Sequence, residues 1–193
     1  MFDEINKWFD KYKIPVTDGE RDFLKEITCH TTIPKNTIIM HQDRPVERLF
    51  FINKGVVRLF RQYMHEDTTI AFIVENEFAS TIIYLLNQIP SPCALETCTD
   101  IEVLYWNRED IIQLKSYTAL GEMLEKTLTE VLLAWNQDRE VDKMLLDAEG
   151  RYLKLIQTHS QVIQQVPLRY IASYLGIHQD SLSRIRKRLI RKI

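Results

Sequence analysis

The sequence has little of what metal and redox centres are built from. It holds three cysteines, Cys29, Cys93 and Cys98, and five histidines in 193 residues. Three thiols cannot all pair within one chain, and no CxxC or Cys/His ligand spacing occurs. An iron–sulfur cluster needs about four thiolates and is excluded. Each cysteine is expected as a buried free thiol. A metal enzyme would need a cluster of histidines with a carboxylate at ligand spacing. His30, His41 and His65 stand alone, with no H-x-H and no H-x-x-x-H. G-x-S-x-G, the P-loop and H-E-x-x-H are missing as well. No catalytic residue and no metal ligand can be named, which argues against an enzyme. No apolar run is long enough for a membrane span, and the N-terminal MFDEINKWFDKY is charged and amphipathic, unlike a signal peptide. The expected compartment is the cytoplasm, with no membrane partner.

What is present is an ordinary globular composition, 45% hydrophobic and 27% charged. The length allows one or two domains. The net charge of −2 hides an asymmetry: residues 1–144 carry 16 basic and 24 acidic side chains, residues 145–193 carry 9 and 3. Six of those basic residues lie from Arg184 onward, with no acid among them. An acidic body with a basic C-terminal piece suggests that this piece alone meets nucleic acid.

The most informative stretch is LRYIASYLGIHQDSLSRIRKR, residues 168–188. Ile171 and Leu175 share one helix face, and Leu182 and Ile185 share another. Gly176 between them can take positive φ without a Cβ penalty. Ile177 fills the corner, and Ala172 is small enough for two helices to cross closely. This is the pattern of a helix-turn-helix, whose second helix lies in the DNA major groove. The alternative is an ordinary αα-hairpin within a core.

Taken in order, residues 2–13 predict a helix with Phe2, Ile5, Trp8, Phe9 and Tyr12 on one stripe, stopped by Pro15. Thr17 and Glu20 form a capping-box pattern for a second helix through about Ile27. From Thr28 to about Trp106 β-branched and aromatic runs predict strands. Asn53-Lys54-Gly55 reads as a hairpin turn between two of them. Short strands at close spacing favour a barrel or jelly roll of about eight strands, interrupted by a short helix and loop over Glu77–Asn87. Arg108-Glu109-Asp110 opens a helical region. From about Thr118 to Met144 runs the longest periodic segment. Leu120, Leu124, Thr127, Val131 and Ala134 lie on one stripe, and Met123, Leu128, Leu132 and Trp135 lie beside it. One stripe can cover the barrel while the other meets the same helix of a second copy; the alternative buries both within one chain. Asp147 to Gly150 reads as a hinge and helix start, and Val162, Ile163 and Val166 as an extended link. Pro167 sits at the mouth of the reader's first helix.

This order of parts resembles the Crp/Fnr family of bacterial transcription regulators. The resemblance is strongest at VPLRYIASYLGIHQDSLSRIRKRL and is clear at FFINKGVVRLF and ALETCTDIEVLYW. It implies an α+β chain in three parts. Residues 1–117 would be a double-stranded β-helix (jelly-roll) sensor of the cyclic-nucleotide-binding type. Residues 118–146 would be a dimerisation helix, and residues 147–193 a winged-helix-like helix-turn-helix domain whose wing is short or absent. The implied partners are double-stranded DNA, a second copy of the chain and RNA polymerase. The implied base readers are Gln179, Asp180 and Arg184, types that suit adenine, cytosine and guanine in turn. Asp180 alternatively serves the helix dipole. Phosphate contacts fall to His178, Ser181, Arg186, Lys187 and Arg188, with Arg191 and Lys192 beyond them.

The resemblance breaks in the sensor. Relatives that bind cyclic AMP carry Gly-Glu at a short helix, then an arginine, a small hydroxyl residue and alanine. Here the matching positions read Asn76-Glu77-Phe78 and Pro92-Cys93-Ala94. The glycine, the arginine and the hydroxyl are gone, and a cyclic phosphate needs a charged fork or a nest of amides. Charge could come instead from Arg44, Arg48, Arg58 or Arg61. The expected effector is a small molecule other than cyclic AMP, or none, and no cofactor is implied. The alternative is a regulator responding to cyclic AMP or cyclic GMP through an altered cassette.

Overall fold

The structure, a computed structural model, describes residues 2–64 and 66–190. Two helices come first. α1 (Asp3–Lys11) buries Ile5, Trp8 and Phe9 and has acids in its first turn and Lys11 in its last, in keeping with the helix dipole. It stops well before Pro15, with Lys13 at positive φ. α2 (Asp18–Ile27) begins at the expected capping box: the Glu20 amide donates to Thr17 Oγ1 at 3.3 Å and the Thr17 amide to Glu20 Oε2 at 3.0 Å. The other Glu20 oxygen accepts from the Leu120 amide at 3.0 Å, tying this helix to a turn 100 residues away.

Eight strands follow: β1 (Cys29–Ile33), β2 (Ile38–Met40), β3 (Arg48–Lys54), β4 (Val57–Tyr63), β5 (Glu66–Ile73), β6 (Glu77–Ala79), β7 (Ala94–Thr97) and β8 (Ile101–Asn107). They form two four-stranded antiparallel sheets, in the orders β1-β8-β3-β6 and β2-β7-β4-β5. They form the expected jelly roll, and Phe51, Ile52, Val57, Val103 and Leu104 are fully buried, the consecutive pairs pointing to opposite faces of their sheet, so that the sheet carrying β3 and β8 is covered on both sides. The stretch from Glu77 to Asn87 is β6 followed by a short helix, α3 (Ile82–Asn87).

The expected hairpin at Asn53-Lys54-Gly55 is corrected. β3 pairs with β6 and β8, and β4 pairs with β5 and β7, so the segment carries the chain from one sheet to the other. Gly55 sits at φ +98°, and a Cβ there would lie 2.5 Å from the Asp100 carbonyl oxygen. The crossing is therefore possible only with glycine.

α4 (Arg108–Tyr117) starts at a second capping box, Asn107 with Asp110. α5 (Ala119–Leu145) is 27 residues long, about 40 Å at the usual rise. Its first half belongs to the chain's own core: Leu120, Leu124 and Leu128 are buried with the roll. The expected dimer seam is corrected accordingly. Leu120 and Leu124 are consumed within one chain, Thr127 and Val131 are half-buried, and Ala134 alone of the five is exposed. Both stripes bury over the first turns, because the helix there packs against α4 and α3, with Gly121 against the Leu114–Lys115 backbone.

Four helices complete the described chain: α6 (Ala148–Thr158), α7 (Ser160–Gln165), α8 (Leu168–Leu175) and α9 (Gln179–Ile190). The expected extended link at Val162–Val166 is instead mostly α7, which buries Val162. No strand follows β8 among the described residues, so no wing is present there.

Gly55→Ala should destabilise the protein by about 2 kcal/mol or more, from positive-φ strain and the carbonyl clash together. Chemical denaturation measures this, and a loss under about 0.5 kcal/mol would mean the crossing is not as tight as described.

Candidate functional site

α8 and α9 meet as the sequence pattern requires. Gly176 takes φ +67°, its amide bonds to the Ser173 carbonyl and the Ile177 amide to the Ala172 carbonyl, both at 3.0 Å. These bonds satisfy the carbonyls at the end of α8. Ile171, Ala172, Leu175, Leu182 and Ile185 are buried in one cluster. The opposite side of α9 is open: Gln179, Asp180, Ser181, Arg184, Arg186 and Lys187 are exposed. Asp180, Arg184 and Lys187 follow one another at helical spacing along that side. His178 is exposed, and its Nδ1 accepts from the Asp180 amide at 3.4 Å, a long and weak cap.

Arg188 is corrected as a free phosphate contact. It pairs with Glu149 at the start of α6, closing the four-helix unit α6–α9 on itself. Arg191 and Lys192 lie outside the described residues, as does His65.

This unit is seated on the roll through a buried arginine. Arg58 on β4 is 1% exposed. Its Nε donates to Glu96 Oε2 at 2.6 Å and its Nη2 to Asp67 Oδ2 at 2.9 Å. The guanidinium lies between two rings, Phe60 of the roll at 4.0 Å and Tyr170 of α8 at 3.7 Å. Burial pulls the Arg58 pKa down, but the hydrogen bonds to Asp67 and Glu96 outweigh it and hold the group above its usual value. Beside it, Ser173 Oγ donates to the Asp67 carbonyl and accepts from the Thr69 amide, both at 2.9 Å. β5 is the edge of its sheet, so Ser173 satisfies backbone groups that the sheet leaves unpaired. Val56, Phe72, Val74 and Cys98 of the roll share one apolar cluster with the helices of the C-terminal unit. The sequence reading offered Arg58 only as one of four arginines that could bring charge to the effector pocket, and gave Tyr170 and Ser173 no role. An arginine inside the apolar run VVRLF was the available signal.

Between the roll, α1 and the middle of α5 lies an open-sided cavity of about 180 Å³, lined from β3 to β7 and reached by His159 at the α6–α7 corner. Asn76, Glu77 and Phe78 line it, whereas Pro92, Cys93 and Ala94 do not. Ala94 is buried in β7 opposite Phe60, and Cys93 is held by the Ser91 hydroxyl, which donates to its carbonyl at 3.0 Å. The expected two-part cassette is therefore not assembled around one cavity. No arginine is among the described residues lining it: Arg58 is committed as above, and Arg44, Arg48 and Arg61 are exposed elsewhere. Glu77 Oε2 accepts from the Val74 amide at 3.0 Å. Burial pushes its carboxyl above the usual range, opposed by that hydrogen bond and by the charge of Lys11.

The thiols differ from one another. Cys29 is exposed on β1 and Cys93 half-buried, against the expectation of burial for all three; Cys98 is buried, which raises its pKa to about 12. Among the described residues no group of three His, Cys, Asp or Glu side chains could hold a metal, and no helix is long and apolar enough to cross a membrane.

Residues 30–117 match the cyclic nucleotide-binding domain family. FixK2 from Bradyrhizobium japonicum is similar in structure over 86% of each chain, with TM-score 0.73 and 16% identity. A Crp/Fnr-family transcriptional regulator from Eubacterium rectale is similar over 92% of this chain and 85% of that one, at TM-score 0.72 and 12% identity. The chain has the Crp/Fnr fold. The catabolite activator protein of Thermus thermophilus shares it at TM-score 0.55 and 20% identity, over 91% of this chain and 84% of that one. No curated protein matches the sequence. Within the Crp/Fnr fold, the matched region runs from β1 through α4. It contains most of the cavity's roll wall, whereas α1 and α5 close the cavity from outside that region.

Arg58→Met should cost about 3 kcal/mol of folding stability, because it leaves the Asp67 and Glu96 carboxylates facing an apolar side chain. Urea unfolding at neutral pH measures this. A cost below about 0.5 kcal/mol would mean the pairs contribute nothing net.

Proposed function

We propose that the protein is a homodimeric, DNA-binding transcription regulator that reads a pseudo-palindromic operator. The observation that carries this reading is the two-sided character of α9. One side is buried by Leu182 and Ile185, and the other presents Gln179, Asp180, Ser181, Arg184 and Lys187, all exposed, with Gln179 at the rim of a cleft facing the roll. Arg184 is the principal base reader, bidentate to guanine, with Gln179 and Asp180 beside it. His178, Ser181, Arg186 and Lys187 contact phosphate and set the register. The regulator's parts are the sensor over residues 1–117, the helix over 118–146 and the reader over 147–193. Its partners are double-stranded DNA, its own second copy and RNA polymerase. It works in the cytoplasm and is not an enzyme.

The dimer forms along the second half of α5. Leu133, Val141, Met144 and Leu145 are 62%, 50%, 81% and 77% exposed and, with Ala134, make an apolar strip that the chain itself does not cover. A two-fold copy of the same helix is the occupant that supports paired readers about one DNA turn apart. A second reading, response to cyclic AMP or cyclic GMP, is favoured by the family match over residues 30–117. The missing cassette arginine and the mainly apolar walls of the cavity weigh against it.

Binding-site selection with purified protein tests the main reading. Arg184→Ala should relax base preference at one position per half-site, at a cost of about 1–3 kcal/mol on the preferred sequence. Lys187→Ala should weaken all sequences alike and flatten the salt dependence by about one unit of slope. An unchanged preference in Arg184→Ala would remove α9 as the reader.

A further inference from the structure

The cavity between the roll, α1 and α5 has a size, a polarity and a location, and each constrains its occupant. Its volume is about 180 Å³. An apolar protein cavity of about 150 Å³ holds one benzene, so this one takes a single ring with a small substituent. A purine, a ribose and a phosphate together would have to reach out through its open side. The walls are mainly apolar, with Leu49, Phe78 and Leu95 from the roll, Trp8 from α1, and Leu128 and Leu132 from α5. The carboxyl of Glu77 is also on the wall, fixed by its bond to the Val74 amide. Lys11, also on the wall, is exposed and lies within electrostatic reach of that carboxyl, so its charge is already opposed. An anionic ligand would meet Glu77 without a guanidinium to hold it.

The location adds a consequence. Trp135 of α5 and His159 line this cavity and also the groove between α5 and the C-terminal helices. His159 is the junction residue between α6 and α7, so one wall of the sensor cavity belongs to the reader.

We propose that this cavity binds a small uncharged aromatic molecule bearing one hydrogen-bond donor, which faces Glu77, and that the bound ring contacts the reader at the α6–α7 corner. The proposal rests on the regulator reading for its biological sense, but the binding itself does not require DNA. A ligand of this class reports to the reader by direct contact at His159, without passing through the dimer.

The test is calorimetric titration of the full chain, without DNA, with phenol, toluene, benzoate and cyclic AMP. Phenol should bind at one site per chain, tighter than toluene, and at least about tenfold tighter than benzoate or cyclic AMP. Leu132→Trp fills the cavity from α5 and Ala71→Leu fills it from β5. Whichever of the two folds should lower phenol affinity by about tenfold. Hydrogen exchange over residues 148–165 should slow when phenol saturates the chain. The proposal is overturned if phenol does not bind, if benzoate or cyclic AMP binds more tightly than phenol, if a folded filling variant binds phenol unchanged, or if exchange over 148–165 does not respond. Because no DNA is present, a failure of Arg184 to read bases would leave these outcomes intact, and the two readings fail separately.

Discussion

The arrangement of the whole chain depends on how one buried cation is accommodated. Arg58 sits inside an apolar strand with almost no exposure, and stripping water from a guanidinium costs several kcal/mol before anything is returned. The return comes from hydrogen bonds to Glu96 and Asp67 and from the ring faces of Phe60 and Tyr170. Three of these four partners belong to the roll, but Tyr170 belongs to α8. The arginine is therefore fully compensated only when the reader is seated. Ser173 repeats this logic in the backbone, where it closes the edge of β5 with a side chain from the reader. The apolar cluster around Phe72 and Cys98 then spans both parts, so roll and reader share packing as well as polar contacts.

That seating gives the sensor cavity its position. The cavity opens between the roll and the middle of α5, just where the helix leaves the core and its apolar side turns outward. Residues on one side of that point, Leu120, Leu124 and Leu128, are buried in the core, whereas Leu133, Val141, Met144 and Leu145 beyond it are exposed. His159 reaches the same place from the reader. Roll, α5 and the C-terminal helices thus meet at Trp135 and His159, which line both the cavity and the groove beside it.

The sequence made the reader legible because its requirements are local. Gly176, Ala172 and the spacing of Ile171, Leu175, Leu182 and Ile185 describe a corner that few other structures demand. Thr17 with Glu20, and the acidic turn after Asn107, announced helix starts in the same local way. Asn53-Lys54-Gly55 misled for the converse reason: a tight glycine turn looks the same whether the chain folds back on itself or crosses to the other sheet, and only the pairing of β3 with β6 and β8 and of β4 with β7, distant in sequence, decides. The periodicity of α5 revealed a long helix with two stripes. It could not say where along its length the single chain stops burying them. Arg58 was visible as an oddity in its strand, but its partners Asp67, Glu96 and Tyr170 are brought together only by the fold. The same holds for Arg188, whose partner Glu149 lies 39 residues earlier.

The central claim is that roll and reader form one cooperative unit closed by Arg58 and Tyr170. Differential scanning calorimetry of the DNA-free protein tests it most directly. The account predicts a single transition in the wild type, with calorimetric and van't Hoff enthalpies in agreement once dimer dissociation is included. It further predicts that Tyr170→Ala splits this into an early melt of the reader and a later one of the roll. Two separate transitions in the wild type would contradict it.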